Sequence, residues 1–374
     1  MIFQTFPKST YDEYRDEYDT ALRQTLDAGF YILGREVETF EHEFAAYTGV
    51  RHALGVANGT QAIELALRAL GIGAGDLVLT VSHTAVATAM AVVSTGATPV
   101  WVDVDPATAV MDAGRLEQAI AAAGAAGFKN RLKAVIAVHL YGNPVDIPAI
   151  MDVCRRHGLA LVEDCAQAHG AVIAGRRVGG FGAIGAFSFY PTKNMPAFGD
   201  GGAVVTDDAA LRARLAELRQ YGWKQRYVSD TLGLNSRLDE IHAAMLRVSL
   251  RHLDSLNARR RALAATYDQG LAGLPLARPA TTSGAEPVYH QYVIQTDRRD
   301  ALAAFMAERG VHTAIHYPVP VHRQPAFAGM APVAGPLHGT EALADRILSL
   351  PMYPQITAGQ ATAVATAVQE FFRA

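Results

Sequence analysis

The sequence predicts an α/β fold, and three observations carry that prediction. Short apolar runs alternate with helical patterns over the first two thirds of the chain: ALGV (53–56), LVLTV (77–81), PVWVDV (99–104), AVIAVHLYG (134–142) and LALVEDCA (159–166). The runs are continuous rather than alternating, which is the pattern of strands buried on both faces of a mainly parallel sheet. Turn residues and helical periodicities of ordinary length separate them, including NGTQAIELALRAL and segments near 112–126 and 146–157.

GAFSF (185–189) and GAVVT (202–206) add two further strands, so the tract from about 50 to 255 reads as one α/β unit. The segment 236–271 has helical periodicity with no glycine or proline until Gly270, long enough to leave one domain and enter the next. Beyond it, VYHQYVIQT and HTAIHYP read as strands. DALAAFMAERG, TEALADRILSL and ATAVATAVQEFFRA read as helices. The expected organisation is a large domain over 1–255, with an N-terminal helical segment, and a smaller α+β domain over 256–374. A chain of 374 residues fits two domains.

Half of the residues are hydrophobic and 18% are charged, which excludes a disordered chain. The net charge of -3 offers no general attraction to nucleic acid or to anionic lipid. The N-terminus lacks the basic start and apolar run of a secretory signal, and no run reaches eighteen apolar residues; a cytoplasmic location is expected. Two cysteines, Cys154 and Cys165, make neither a disulfide framework nor a zinc ligand set, and no metal is expected.

Three features carry candidate chemistry. Asn58-Gly59-Thr60 forms a strand-to-helix turn whose N–H groups and helix dipole suit an anion, although Asn58 or Thr60 equally suits a helix cap. Glu163-Asp164 ends a buried strand, where a carboxylate needs a cation or several donors, or else caps the next turn. Gln167 follows, placed to orient a ring or to sit in solvent. Lys193 stands in SFYPTKNMPAFGDGGAVVT, beside Ser188 and Tyr190. It is one of only five lysines in a chain whose basic residues are mostly arginine. A lysine in an apolar pocket supplies a neutral amine, whereas one that snorkels reaches water. An anion site, a carboxylate for a ring nitrogen and an amine for an aldehyde carbon are together the requirements of pyridoxal phosphate.

The motifs NGTQAIELAL, GATPVWVDVD, HLYGNPVDI, EDCAQAHGA, SFYPTKN, GDGGAVVT, GLNSRLDEIHAAML and IHYPVPVHRQPAF occur in one order along nearly the whole chain. In this it resembles the DegT/DnrJ/EryC1/StrS sugar aminotransferases, within the fold-type I pyridoxal phosphate enzymes. The resemblance implies that Lys193 is the Schiff-base lysine and Asp164 the partner of the pyridine nitrogen. It places Gln167 at the ring oxygen and Gly59, Thr60 and Ser188 on the phosphate. Asn235 matches a residue that reaches the phosphate from a partner subunit, which implies a homodimer with shared sites; its position also suits the N-cap of the long helix.

Where many members carry a stacking aromatic, this chain has Ala85, leaving His83 as a stacking or structural group. HTAVAT, Tyr190 and the His316-Tyr317 pair resemble the branch acting on 3-keto-6-deoxy nucleotide sugars. Tyr190, His316 and Tyr317 are then candidates to touch the sugar nucleotide, and for the latter two a plain strand end before Pro318 is the alternative. The implied reaction takes an amine from glutamate to C3 of a keto sugar, most simply a dTDP-linked one. A 4-keto sugar nucleotide or keto-inositol is the alternative acceptor, and a pyridoxal phosphate-binding sensor without turnover is the alternative from another class. Arg237 is a candidate for glutamate's carboxylates, or pairs with Asp239 or a nearby acid.

Overall fold

A computed structural model describes residues 1–330 and 335–373, so that Ala374, the last residue of the expected terminal helix, lies outside it. Three helices open the chain: α1 (Lys8–Glu13), α2 (Arg15–Ala28) and α3 (Arg35–Thr48). Alternating elements follow: β1 (His52–Val56), α4 (Gly59–Ala69), β2 (Leu77–Val81), α5 (Val86–Ser94), β3 (Thr98–Val102), α6 (Ala113–Ala125), β4 (Leu132–Val138), α7 (Ile147–His157) and β5 (Ala160–Asp164). The short pair β6 (Val172–Ile173) and β7 (Arg176–Arg177) precedes β8 (Ile184–Ser188), β9 (Gly202–Thr206) and α8 (Ala209–Leu218).

The sheet order is β1-β9-β8-β5-β4-β2-β3. Parallel pairing joins β3, β2, β4, β5 and β8, while β9 runs antiparallel to both of its neighbours. The cause is local. The steps from β1 through β5 each pass through a helix, and the step from β5 to β8 crosses over through residues 165–183, which carry β6 and β7; β8 and β9 are joined by the shorter return 189–201, which reverses the strand. The apolar runs are buried as their continuity requires, with all five residues of β2 and of β9 inside. At about 25 cal/mol per Å2 of apolar surface, this core is the main favourable term in folding.

After the hairpin β10 (Trp223–Gln225) and β11 (Val228–Ser229) comes α9 (Glu240–Gly270), 31 residues long. It starts four residues later than the periodicity suggests, with Asp239 as N-cap, so Asn235 does not cap it. Its first turn stabilises a neighbour: the Glu240 carboxylate accepts from the N–H groups of Gly34, Glu36 and Val37 at 2.7, 2.9 and 3.0 Å, satisfying the open start of α3.

The C-terminal part comprises β12 (Ala285–Glu286), β13 (Tyr292–Gln295), α10 (Arg299–Glu308), α11 (His338–Arg346), β14 (Ile347–Leu350) and α12 (Ala358–Arg373). A second core gathers Leu263, Tyr267, Ile294, Leu302, Met306, Leu348, Val364 and Phe371. Two expectations are corrected here. TEALADRILSL is helical only to Arg346, and its apolar end ILSL pairs with β13 as β14. HTAIHYP makes a single bridge, Ala314 to Ser349, because that edge of the two-stranded sheet is met at one residue only. Among the described residues no helix is long and apolar enough to cross a membrane.

Candidate active site

The carboxyl ends of β1, β2, β4, β5 and β8 open on one cavity of about 600 Å3. Asn58, Gly59, Thr60 and Gln61 line it at the start of α4, and Asn58 is the helix cap, its side chain accepting from Gln61 N at 2.9 Å. Capping thus satisfies the third residue of the helix and leaves the N–H groups of Gly59 and Thr60 facing the cavity end of the dipole. Ser188 packs directly against Gly59: a Cβ on that glycine would meet Ser188 Cβ at 2.5 Å. The buried Gln61 Oε1 has no hydrogen-bond partner among the described residues. Ala57 N donates to Ser236 Oγ, which pins the turn to the segment before α9.

Asp164 and Glu163, adjacent on β5, point to opposite sides of the sheet as consecutive strand residues must. Glu163 is structural: Gly179, Phe181 and Gly182 donate their backbone N–H groups to it at 2.8, 2.7 and 2.8 Å, and His139 lies 3.3 Å away. Asp164 faces the cavity. Burial pushes its carboxyl up from the ordinary range, opposed by the Thr88 hydroxyl, which donates to Oδ2 at 2.8 Å, and by Ala166 N on Oδ1 at 3.1 Å. Thr88 also bonds Thr84 at 3.0 Å, so one face of α5 sits against Asp164. Thr88 is absent from the sequence expectations, although Thr84 and Thr88, one helical turn apart in HTAVAT, give a readable signal.

Lys193 lines the same cavity from the return loop between β8 and β9, with its N–H donating to Tyr190 O at 2.8 Å. Burial lowers the amine to about 8, and the Asp164 carboxylate acts in the opposite direction. A neutral amine is therefore available near neutral pH, one residue from a buried polar contact made by Asn194.

The other expected residues divide. Gln167, Ser188 and Tyr190 line the cavity, with Tyr190 52% exposed. Gln167 spends both ends of its amide inside the chain, accepting from Tyr141 N at 2.7 Å and donating to Tyr317 Oη at 3.0 Å. His83 does not reach the cavity: its buried ring bonds Tyr141 Oη at 2.8 Å, while Ala85 lines the wall. His316 and Tyr317 stand behind that wall, His316 O accepting from Tyr141 Oη and His316 Nδ1 bonding Ser349 Oγ. Asn235 is exposed outside the cavity and bridges Gln220. Arg237 has no carboxylate within 4 Å among the described residues, so neither the pairing with Asp239 nor one with another nearby acid is formed.

Against known families, residues 12–369 match the DegT/DnrJ/EryC1/StrS aminotransferase family. The chain belongs to this family. It is 50% identical, over 97% of its length and 94% of the relative's, to a dTDP-3-amino-3,4,6-trideoxy-alpha-D-glucose transaminase of Streptomyces venezuelae. The fold superimposes on the crystal structure of S. venezuelae DesV in complex with a ketimine intermediate, with a TM-score of 0.95, 49% identity and 100% and 99% of the two chains covered. NtdA of Bacillus subtilis with bound cofactor PMP matches with a TM-score of 0.87 at 26% identity, covering 97% of this chain and 82% of NtdA. As a DegT/DnrJ/EryC1/StrS family member the protein is an aminotransferase of the fold that its neighbours share, a mixed, mainly parallel sheet between helices.

Proposed function

We propose that the protein uses pyridoxal phosphate to move an amine from glutamate to C3 of a dTDP-linked 3-keto-6-deoxyhexose, in deoxyamino sugar biosynthesis. The observation that carries this is one cavity lined by Lys193, a buried carboxylate at Asp164 and the helix start at Gly59-Thr60.

The residues fit the cofactor. Gly59 lies where any side chain would collide with Ser188, as a close anion cradle demands. Gly59, Thr60 and Ser188 would hold the phosphate, Asp164 the protonated ring nitrogen, and Gln167 the ring oxygen side. When bound, pyridoxal phosphate supplies an aldehyde for amine exchange and a ring that withdraws electrons. Asp164 keeps negative charge at the ring nitrogen, helped by the Thr88 hydroxyl. With the cofactor bound, the Lys193 amine would take and return the proton at the substrate carbon, a task suited to a group lowered to about 8 by burial.

The acceptor rests on the similarity to the S. venezuelae dTDP-3-amino sugar transaminase. Tyr190, half-exposed at the cavity edge, is the residue best placed to meet the sugar nucleotide, and Tyr317 holds Gln167 from behind. A homodimer fits the exposed Asn235, Tyr227 and Leu232, the last two 73% and 89% exposed.

Incubation with glutamate and a panel of 3-keto and 4-keto sugar nucleotides, with mass and NMR analysis of products, tests the reading. Amination at C3 is expected; amination at C4 alone would overturn the acceptor and leave the chemistry. Borohydride reduction with pyridoxal phosphate is expected to attach the cofactor at Lys193, and attachment elsewhere would remove the basis of the mechanism.

A further inference from the structure

A buried line of polar side chains runs from the N-terminal segment before α1 to the loop bearing Lys193. Its members are Gln4, Gln291, His290, Asn194 and Asn257, and each is 9% exposed or less. Gln4 Nε2 meets Gln291 Oε1 at 2.5 Å, Gln291 Nε2 meets His290 Nε2 at 3.4 Å, and His290 Nδ1 meets Asn194 Oδ1 at 3.2 Å. Asn194 Nδ2 then reaches Asn257 Oδ1 at 2.9 Å and Val288 O at 3.0 Å, and Asn257 Nδ2 reaches His169 O at 2.8 Å.

Two backbone carbonyls fix the direction of every bond. Val288 O and His169 O only accept, so Asn194 and Asn257 must turn their amide nitrogens toward them. Asn194 Oδ1 is then the acceptor facing His290, and the imidazole must carry its proton on Nδ1. Its Nε2 is left as an acceptor for Gln291. Burial, with Lys193 and Arg260 adding to it, pushes His290 well below the ordinary histidine range, which agrees with a neutral ring. The line ties together three elements that meet at Asn194, the neighbour of Lys193: α9 through Asn257, the segment before β13 through Val288 and His290, and the return loop through Asn194 itself.

We infer that Asn194 and His290 are positioning residues for the reaction, locking the return loop so that the Lys193 amine stays in the cavity. This rests on the reading of Lys193 as the lysine that bonds the cofactor. Neither residue lines the cavity, so each acts only through the backbone of residue 193.

The test uses the full chain with Asn194→Ala, His290→Leu and His290→Asn. An asparagine amide at 290 sits near the Nδ1 position and keeps the donor to Asn194, whereas leucine removes it. Expected is a fall in kcat of roughly 100-fold for N194A and H290L, with glutamate KM within about threefold, and recovery in H290N to within about tenfold of the parent. In the apoprotein, competitive acylation read by peptide mass spectrometry should move the Lys193 midpoint upward from about 8 in N194A and H290L. Variants with the parent's kcat and midpoint overturn the inference. Should they not fold, nitrogen NMR of the histidine-labelled parent decides: a proton on His290 Nδ1 supports it, and one on Nε2 overturns it. If the parent itself traps pyridoxal phosphate away from Lys193, the underlying reading fails instead.

Discussion

Thr88 donates its hydroxyl to Asp164 at 2.8 Å from the first turn of α5, the strongest local support for a charged carboxylate in a site whose burial favours the neutral form. A bond to a charged acceptor is worth about 1.5–3 kcal/mol, or roughly 10- to 100-fold in rate if the charge is used in the reaction. Thr88→Val should lower kcat by that factor while cofactor binding persists. Steady-state kinetics with glutamate checks it.

Replacing the carboxylate itself should cost more. Asp164→Asn keeps the shape and removes the charge, and a loss of roughly 100- to 1000-fold in kcat is expected from removing one preorganised electrostatic group. Single-turnover absorbance after mixing with glutamate separates slowed chemistry from weakened binding.

Lys193 sets a pH dependence in the apoprotein. Its folded value is lowered to about 8 from 10.5, so between these values the unfolded chain binds more protons than the folded one. Stability from this group therefore rises with pH across that window. Lys193→Met should be more stable than the parent at pH 7, and the difference should narrow as pH climbs past 8 toward 10. Urea midpoints of the two apoproteins measure it.

At Gly59 the prediction is steric. An added Cβ would stand 2.5 Å from Ser188 Cβ and 3.1 Å from its Cα, so Gly59→Ala must displace the cradle. Overpacking of this kind costs about 1–3 kcal/mol, and cofactor affinity should weaken roughly tenfold or more. Fluorescence titration of the apoprotein with pyridoxal phosphate reads it directly.

Glu163 should behave as a stability residue only. Glu163→Gln gives up one charged oxygen among three N–H donors and should cost about 3 kcal/mol, with kcat altered far less than by D164N. Its carboxyl is held below the ordinary range, burial alone pushing the other way, so the parent keeps this stability above the unfolded carboxyl value and loses it as pH falls through the folded one. Thermal melts at pH 7 and pH 4 should show the gap between parent and variant shrinking in acid.

Much of this protein was legible in its residues. Continuous apolar runs fix buried parallel strands, because a run apolar on both faces has no wet side. The scarce lysine at 193 and the strand-ending Asp164 mark the chemistry, since burying such groups is costly unless they are used or paired. Local pattern reaches no further than a turn or two along the chain. Residue type alone does not separate Glu163 from Asp164; the motif resemblance singles out Asp164, and the sheet, by sending the two to opposite faces, gives the physical reason that one is a structural anchor and the other a cavity wall. His83 was drawn away from the cavity by Tyr141, 58 positions later, and ILSL became β14 because β13 offered its edge. Partners so distant in sequence are brought together by the packing of the whole core, which no window of neighbouring residues contains.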